Sequence, residues 1–205
     1  MARPTLSAAE VEASQTAILD AAEALFEADG VAGTSLRRIA ARMGCSAMAL
    51  YRYFPSKAHV VRGLRIRGYH AMATALGRAA EAEPGAGDRV RRIAEAYVEF
   101  ARTRTRAYDL LFQVSDAEEE DVQLAHAKSQ ALDVCRMALV EADRAGHIVL
   151  GTDALTAAHL FWAAAHGAVS LHLSGQLVMG RSLEDVAPLL IETLLGGLSL
   201  TEDAA

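Results

Sequence analysis

The sequence has 205 residues, of which 52% are apolar and 22% are charged, and its net charge is −6. Ala and Leu, which favour helices, number 43 and 25, whereas the β-branched and aromatic residues typical of strands are scarce. This composition argues against an extensive β-sheet, and the ordinary charge content argues against wholesale disorder.

The cysteines and the apolar segments predict a protein of a reducing, cytoplasmic compartment. Cys45 and Cys135 are too far apart for a metal-ligand pair, and two cysteines make no disulfide framework. The residues after the N-terminal Met are polar, so we expect no secretory signal. The apolar stretch 155–173 is interrupted by histidines, so we expect no membrane span. We also expect no metal ion and no cofactor.

The net charge conceals an asymmetry between the two halves of the chain. Residues 1–80 carry a net charge of +4, and residues 81–205 carry a net charge of −10. Between Gly30 and Ala80 there are nine basic residues and no acidic residue. A basic half beside an acidic half indicates a polyanionic partner for the basic half.

Apolar spacing predicts three helices in the first quarter of the chain, over 12–29, 35–42 and 46–53. Gly30 is expected to end the first helix in a left-handed conformation. Thr34 or Ser35 is expected to cap the second helix and Ser46 the third, because hydroxyl side chains accept from unpaired N–H groups of a first turn.

A longer helix is predicted over 56–80, followed by the linker-like sequence 84–87. Further apolar segments are predicted at 88–104, 108–114, 118–145, 152–174 and 182–199. Among their boundaries, Asp88 and Ser182 are expected at helix starts and Gly146 just after a helix end. The sequence therefore predicts an all-α fold of about nine helices.

The turn Met43-Gly44-Cys45-Ser46 joins the second and third helices as in a helix-turn-helix. In this motif the N-terminal residues of the later helix contact base edges in the major groove of double-stranded DNA. Side chains that can donate to phosphate surround the turn. They are Thr34, Ser35, Ser46, Tyr51, Arg52, Tyr53 and Lys57.

Residues 18–64 resemble the DNA-binding domain of the tetracycline-repressor (TetR) family of bacterial regulators. The resemblance rests on ILDAAEALF and GTSLRRIAARMGCSAMALYRYFPSK, in which LYRYFPSK is the most diagnostic part. It implies a helix-turn-helix DNA-binding domain at 1–55. The implied phosphate contacts come from Thr34, Tyr51, Tyr53 and Lys57, and the implied base contacts come from Ser46, Ala47, Met48 and Ala49.

The apolar start of the third helix limits direct readout of base pairs. Ala47, Met48 and Ala49 offer no hydrogen bonds and can contact only thymine methyl groups. Part of the readout therefore falls to Arg37, Arg38 or Arg52, or to DNA shape.

The C-terminal half resembles a TetR-type domain marked by an aromatic residue, His and Gly in its penultimate helix, here Trp162, His166 and Gly167. This resemblance implies a ligand-binding and dimerisation domain at 56–205. Candidate residues of the homodimer interface are Ala164, Ala168, Leu171, Leu190, Leu194 and Leu198. Candidate ligand-binding residues, which suit a small and mainly hydrophobic molecule, are Tyr97, Phe100, Tyr108, Phe112, Met137, Trp162 and His166.

These observations predict a dimeric repressor that binds a pseudo-palindromic operator and is released by a small molecule. One alternative is a DNA-binding regulator switched by oxidation of Cys45 or Cys135. Another is an α-helical enzyme, which no Cys-His-Asp order and no Gly-rich phosphate loop supports.

Overall fold

The computed structural model describes residues 7–113 and 121–198, and within these ranges the chain forms nine α-helices and no strand. They are α1 (Ala8–Gly33), α2 (Leu36–Arg42), α3 (Ala47–Leu50), α4 (Lys57–Ala82), α5 (Ala86–Thr103), α6 (Thr105–Gln113), α7 (Val122–Arg144), α8 (Ala154–Leu173) and α9 (Leu183–Leu198). The predicted all-α fold is confirmed. Residue 114 of the predicted apolar cluster and the predicted helix start at residue 118 lie outside the described residues.

Local hydrogen bonds set the bounds of α1. This helix begins four residues before the predicted residue 12, because Ser7 and Glu10 form a capping box. Gly30 interrupts α1 with a φ of 71°, a value that glycine adopts at little cost. Its ψ of −178° is extended, so the predicted left-handed helical cap is replaced by a sharp kink.

The next two helices are short and lie on either side of a tight turn. The side chain of Ser35 caps α2 by accepting from the N–H of Arg38. Ser46 occupies the N-cap position of α3, but its side chain makes no capping hydrogen bond. Because the chain turns at residues 51–53, α3 is shorter than the predicted 46–53.

The three N-terminal helices share one apolar core with the start of α4. Its buried members are Ile18, Ala22, Leu25, Phe26, Leu36, Ile39, Ala40, Leu50, Phe54, Val60, Leu64 and Leu110. Val60 and Leu64 belong to α4, so this core continues past the predicted boundary at residue 55. Leu110 belongs to α6 and brings the second half of the chain into the same core.

The second core is built around α4 and α7. α4 packs against α5 and α7, α7 packs against α8, and α8 packs against α9. α5 begins at Ala86 with Gly85 at its N-cap, so the predicted linker 84–87 is shorter than expected and Asp88 lies in the first turn. Because α4 contributes to both cores, it joins the two halves of the molecule.

Capping residues explain the remaining helix bounds. The carboxylates of Asp121 and Asp153 each accept from two N–H groups at the starts of α7 and α8. Gly146 follows α7 with a φ of 72°, as predicted for the residue after a helix end. The hydroxyl of Ser182 accepts from the N–H of Asp185 at the start of α9, which also agrees with the prediction.

α8 departs from one expectation. By length and composition alone it is apolar enough to cross a membrane, although its three histidines suggested otherwise. In the fold it packs against α5, α7 and α9 and buries one face in the second core. Core helices of proteins without membrane spans pass the same test, and the packing of α8 fits that explanation.

Candidate functional site

The first residues of α3 present a small, mainly apolar surface. Met48 is 74% exposed and projects from the helix, while Ala47 and Ala49 beside it are half-buried. Leu50 is buried in the first core and fixes the orientation of α3. This packing leaves Met48 and the exposed Ser46 as the side chains able to enter a major groove from α3.

The two tyrosines after α3 have different environments. Tyr51 is exposed, whereas Tyr53 is half-buried against the first core. The guanidinium of Arg52 lies 6.0 Å from the centre of the Tyr53 ring. Arg52 and the Tyr51 hydroxyl are thus both free to meet a phosphate.

Lys57 begins α4 and joins it to the part of α1 that follows the kink at Gly30. Its ammonium donates to the carbonyl of Val31. An ammonium has three donors, so two remain for a phosphate. Lys57 therefore combines a structural contact with a position suited to DNA.

Thr34 is the first predicted phosphate contact that the structure corrects. The side chain is only 4% exposed, and its hydroxyl donates to the carbonyl of Gly30. Its N–H donates to the carbonyl of Val31. Because both donors are used within the protein, we assign Thr34 to the turn between α1 and α2. Ser35 is half-buried and occupied in capping α2.

Arg37 and Arg38 are adjacent in the sequence but have separate roles. Arg38 donates to the carboxylate of Asp29 and to the carbonyl of Gly33, so it ties α2 to the end of α1. Arg37 is exposed and forms no ion pair with any residue that the structure describes. Of this pair, Arg37 is the side chain available for DNA.

Three arginines of α4 bind to other segments of the chain rather than facing solvent freely. Arg62 pairs with Asp121 at 3.0 Å, and Arg67 pairs with Asp20 at 2.6 Å. Arg65 is buried and donates to the carbonyl of Leu111. Much of the basic block of the sequence therefore serves internal contacts.

A small cavity lies inside the second core. It is lined by Met72, Leu76, Ile93, Ala94, Tyr97, Ala131, Leu132, Cys135, Ala158, Phe161, Trp162 and Ala165. α4, α5, α7 and α8 each supply residues that are three or four positions apart and so lie on one helix face. The wall is almost entirely apolar.

Two of the seven predicted ligand-binding residues, Tyr97 and Trp162, line this cavity. Three others, Tyr108, Phe112 and His166, form an aromatic cluster against them. Phe100 is buried but faces a separate groove between α1, α4 and α6. Met137 is 43% exposed on the outer face of α7. The structure therefore places Phe100 and Met137 outside the cavity, in contrast to the prediction.

The cavity is bordered by a chain of hydrogen bonds between three helices. The hydroxyls of Tyr97 and Tyr108 lie 2.9 Å apart, and the Tyr108 hydroxyl lies 2.7 Å from Nδ1 of His166. Nε2 of His166 lies 3.3 Å from the hydroxyl of Ser170. Burial raises the pKa of both tyrosines and lowers the pKa of His166. These groups are accordingly neutral near pH 7.

The predicted ligand-binding residues were mainly large aromatic ones, and most of the residues that line the cavity were not among them. Four alanines create the empty space, because a small side chain on a packed helix leaves room beside it. The sequence did contain one signal, which is that Met72 and Leu76, and likewise Ile93 and Tyr97, recur at i and i+4.

The cysteines lie in unlike environments. Cys45 is exposed at the turn before α3. Cys135 lines the cavity, and burial raises the pKa of its thiol to about 12. A thiol is oxidised chiefly as the thiolate, so this environment disfavours Cys135 as a redox sensor.

An exposed apolar surface runs along the outer side of α8 and α9. It includes Leu160, Leu171 and Leu189, which are 53%, 46% and 68% exposed. Gly167 lies in the same region of α8, and a Cβ added to it would meet nothing within 4 Å. Isolated apolar side chains are normal on a surface, but several on two adjacent helices indicate a partner surface.

The predicted dimer residues are distributed differently. Leu171 is exposed and Ala164 is half-buried. Ala168 is only 6% exposed because it faces the second core, so its place at an interface is corrected. Leu190 and Leu194 pack partly against that core. Leu198 ends α9, and its side chain lies outside the part of the chain that the structure describes.

Comparison with known families assigns both halves of the chain. Residues 18–64 match the family described as bacterial regulatory proteins of the tetR family. Residues 90–194, about half of the chain, match the family described as the tetracyclin repressor-like C-terminal domain. No curated protein matches the chain.

Solved structures share the fold over nearly the whole chain. A protein of unknown function from Rhodococcus sp. RHA1 is 30% identical, with a TM-score of 0.80, over 91% of this chain and 95% of that chain. SmeT in complex with triclosan is 25% identical, with a TM-score of 0.65, over 94% and 95%. SmeT is the repressor of the multidrug efflux pump SmeDEF of Stenotrophomonas maltophilia.

A more distant structure shows the fold alone. The fatty acid degradation regulator FadR from Bacillus halodurans is 15% identical, with a TM-score of 0.72, over 97% of this chain and 100% of that chain.

Proposed function

Because the chain belongs to the TetR family of bacterial transcriptional regulators, and is not an enzyme, we propose that it is a dimeric repressor released from its operator by a small, mainly hydrophobic molecule. The protein would act in the cytoplasm, where its DNA and its effector meet. The observation that carries the proposal is that α6 contacts both the first core and the aromatic cluster beside the cavity.

The DNA side of the proposal rests on α3 and its flanking residues. Met48 and Ser46 project from α3, and Arg37, Tyr51 and Lys57 surround it with donors for phosphates. Two copies related by a two-fold axis would place two α3 helices in successive major grooves of a pseudo-palindrome. The apolar surface of α8 and α9 is suited to that two-fold contact.

The ligand side rests on the cavity and on one relative. SmeT has been solved in complex with triclosan, a small molecule. In the present chain a comparable molecule would enter between α4, α5, α7 and α8. The resemblance of Trp162, His166 and Gly167 to a particular variant of the C-terminal domain fits this location, because Trp162 lines the cavity and His166 adjoins it.

α6 connects the cavity to the DNA-binding half through hydrogen bonds on both of its sides. Arg106 donates to the carbonyls of Phe26 and Glu27 in α1. Two residues further on, Tyr108 bonds to the polar chain that borders the cavity. A ligand that displaces Tyr108 would therefore also move the point at which α6 holds α1.

The C-terminal part of α6 is fixed to α4. The carbonyl of Leu111 accepts from the hydroxyl of Tyr69 at 3.1 Å and from the guanidinium of Arg65 at 3.2 Å. Gly68 allows this close approach, because a Cβ there would lie 2.7 Å from a methyl carbon of Leu111. Since α4 enters the first core, a shift of α6 changes the orientation of α3. A ligand that prefers the shifted state then lowers DNA affinity.

A reporter assay in a heterologous bacterial host tests the proposal. The DNA upstream of the gene for this chain drives a reporter, with the chain expressed or absent. We expect expression of the chain to lower reporter output, and a variant with Met48→Asp to restore it. Unchanged output would contradict the role of a repressor, and increased output would indicate an activator instead.

A further inference from the structure

The chemistry of the cavity wall restricts the effector more narrowly than a hydrophobic character does. Resting on the proposed function, we infer that the cavity takes an uncharged molecule about the size of one substituted aromatic ring, held without any hydrogen bond to the protein. Four features of the cavity in the second core support this ligand class: its apolar wall, its polar border, the absence of a counter-charge and its small size.

The wall offers mainly carbon and sulfur, and the one indole N–H on it, that of Trp162, is hydrogen-bonded to the side chain of Tyr97. Among the residues that the structure describes, no Asp, Glu, Lys, Arg or His lines the cavity. Tyr97 contributes its ring, while its hydroxyl is directed to Tyr108 at 2.9 Å. Cys135 adds a thiol, which is only a weak donor. A ligand therefore meets almost only apolar surface.

The polar border of the cavity is satisfied without a ligand. Tyr97, Tyr108, His166 and Ser170 bond to one another in sequence. Each of these side chains already has a partner, so a ligand hydroxyl or carbonyl would compete with bonds that exist without it. A buried polar group without a partner costs about 1–3 kcal/mol, so such a group weakens binding.

The residues around the cavity disfavour a charged ligand. Burial raises the pKa of the thiol of Cys135 to about 12, raises that of Tyr97 and lowers that of His166. All three groups are neutral near pH 7 and provide no counter-charge. A carboxylate or ammonium ligand would lose its hydration without gaining a partner, which costs far more than the loss of one hydrogen bond.

The small volume of the cavity favours a ligand with a single ring. Only about 40 Å³ is open to the centre of a water molecule, so a ring enters only if wall side chains move. Trp162 is half-buried at the wall. Four alanines, Ala94, Ala131, Ala158 and Ala165, line the existing space, which a ring would have to enlarge.

Three probes that differ in one group test the inference: toluene, p-cresol and p-toluate. The chain has one tryptophan, Trp162, so fluorescence excited at the red edge of indole absorption reports on the cavity. We expect saturable binding of toluene, about tenfold weaker binding of p-cresol, and at least about 100-fold weaker binding of p-toluate. Binding of p-cresol or p-toluate as tight as that of toluene, or no binding of toluene, would overturn the inference.

Matched variants locate the binding. Ala131→Leu fills the cavity and should weaken toluene binding at least tenfold, while Ala125→Leu on the exposed side of α7 should leave it unchanged. Tyr97→Phe keeps the ring and should leave p-cresol binding within about twofold. A tenfold loss of p-cresol binding in Tyr97→Phe would reveal a hydroxyl anchor and contradict the inference.

The inference and the proposed function fail separately. Toluene that binds in the cavity without lowering DNA affinity would contradict ligand-controlled release and leave the choice of ligand class intact. DNA release by a charged molecule that competes with toluene would support the proposed function and overturn the inference about the ligand.

Discussion

The hydroxyl of Tyr108 and Nδ1 of His166, which are 58 residues apart in the sequence, lie 2.7 Å apart and join α6 to α8. This contact places an ionisable ring beside an apolar cavity, with hydroxyl groups at both of its nitrogens. It also links α8 by hydrogen bonds to α6, and α6 in turn binds α1 through Arg106. A ligand in the cavity and a change in pH can therefore both alter the hydrogen bond between Tyr108 and His166.

The first prediction concerns acid stability. Burial lowers the pKa of His166 below its ordinary value of 6.5. As pH falls through about 6.5, the unfolded chain binds a proton that the folded chain does not, so the free energy of unfolding decreases until pH passes below the folded pKa. His166→Gln should reduce this acid-side decline in urea titrations at a series of pH values. His159→Gln, an exposed position on the same helix, serves as control and should retain the decline.

The second prediction concerns base preference. Met48 projects from α3 without a hydrogen-bonding group, so it can discriminate bases only through contact with thymine methyl groups. Met48→Ala should change the preferred sequence selected from a random DNA library at one position of each half-site. The exposed Met137 on α7 provides the control, and Met137→Ala should select the original sequence. An identical preference in Met48→Ala would show that α3 reads only DNA shape.

Much of the fold follows from the sequence, since periodicity and capping residues are local signals. Gly146 and Ser182 occupy the places predicted for them. The cavity could be predicted only in part, because helical spacing shows that a face is buried but not which helix covers it. Met137 illustrates this, since it is an apolar residue of α7 that lies on the outer face of the helix, away from the cavity.

Small residues were the least predictable feature of the chain. An alanine permits either close packing or an empty space, and the neighbouring helix decides between them. Ala168 packs into the second core, whereas Ala131 and Ala158 line the cavity. The contact of Thr34 was equally hard to predict, because its hydroxyl donates to the carbonyl of Gly30, which lies at the kink of α1.

The third prediction concerns assembly. Leu189 is exposed on α9, so a substitution there tests the partner contact with little effect on the core. Leu189→Asp should shift the protein toward monomers in sedimentation velocity, because an apolar interface would have to bury a carboxylate. The exposed Val149 before α8 is the control, and Val149→Asp should remain dimeric. A dimer that is unchanged in both variants would place the two-fold contact elsewhere.

The fourth prediction concerns coupling between the two halves. Arg106→Ala removes the hydrogen bonds from α6 to α1. We expect toluene to bind this variant normally, while its effect on DNA affinity falls toward none. Arg102→Ala removes only an exposed ion pair with Glu99 and should leave the coupling intact. If Arg106→Ala kept the full ligand effect in fluorescence anisotropy, the coupling would run through other contacts, such as those at Leu111.

The most direct test is the affinity of the chain for DNA from the region upstream of its own gene, measured by fluorescence anisotropy at physiological salt against an unrelated fragment of equal length. Specific complexes are typically at least about 1,000-fold tighter than non-specific ones. We predict a preference of this order, with two protomers bound per site. Equal affinity for both fragments would contradict the assignment of this chain as a regulator of its own region.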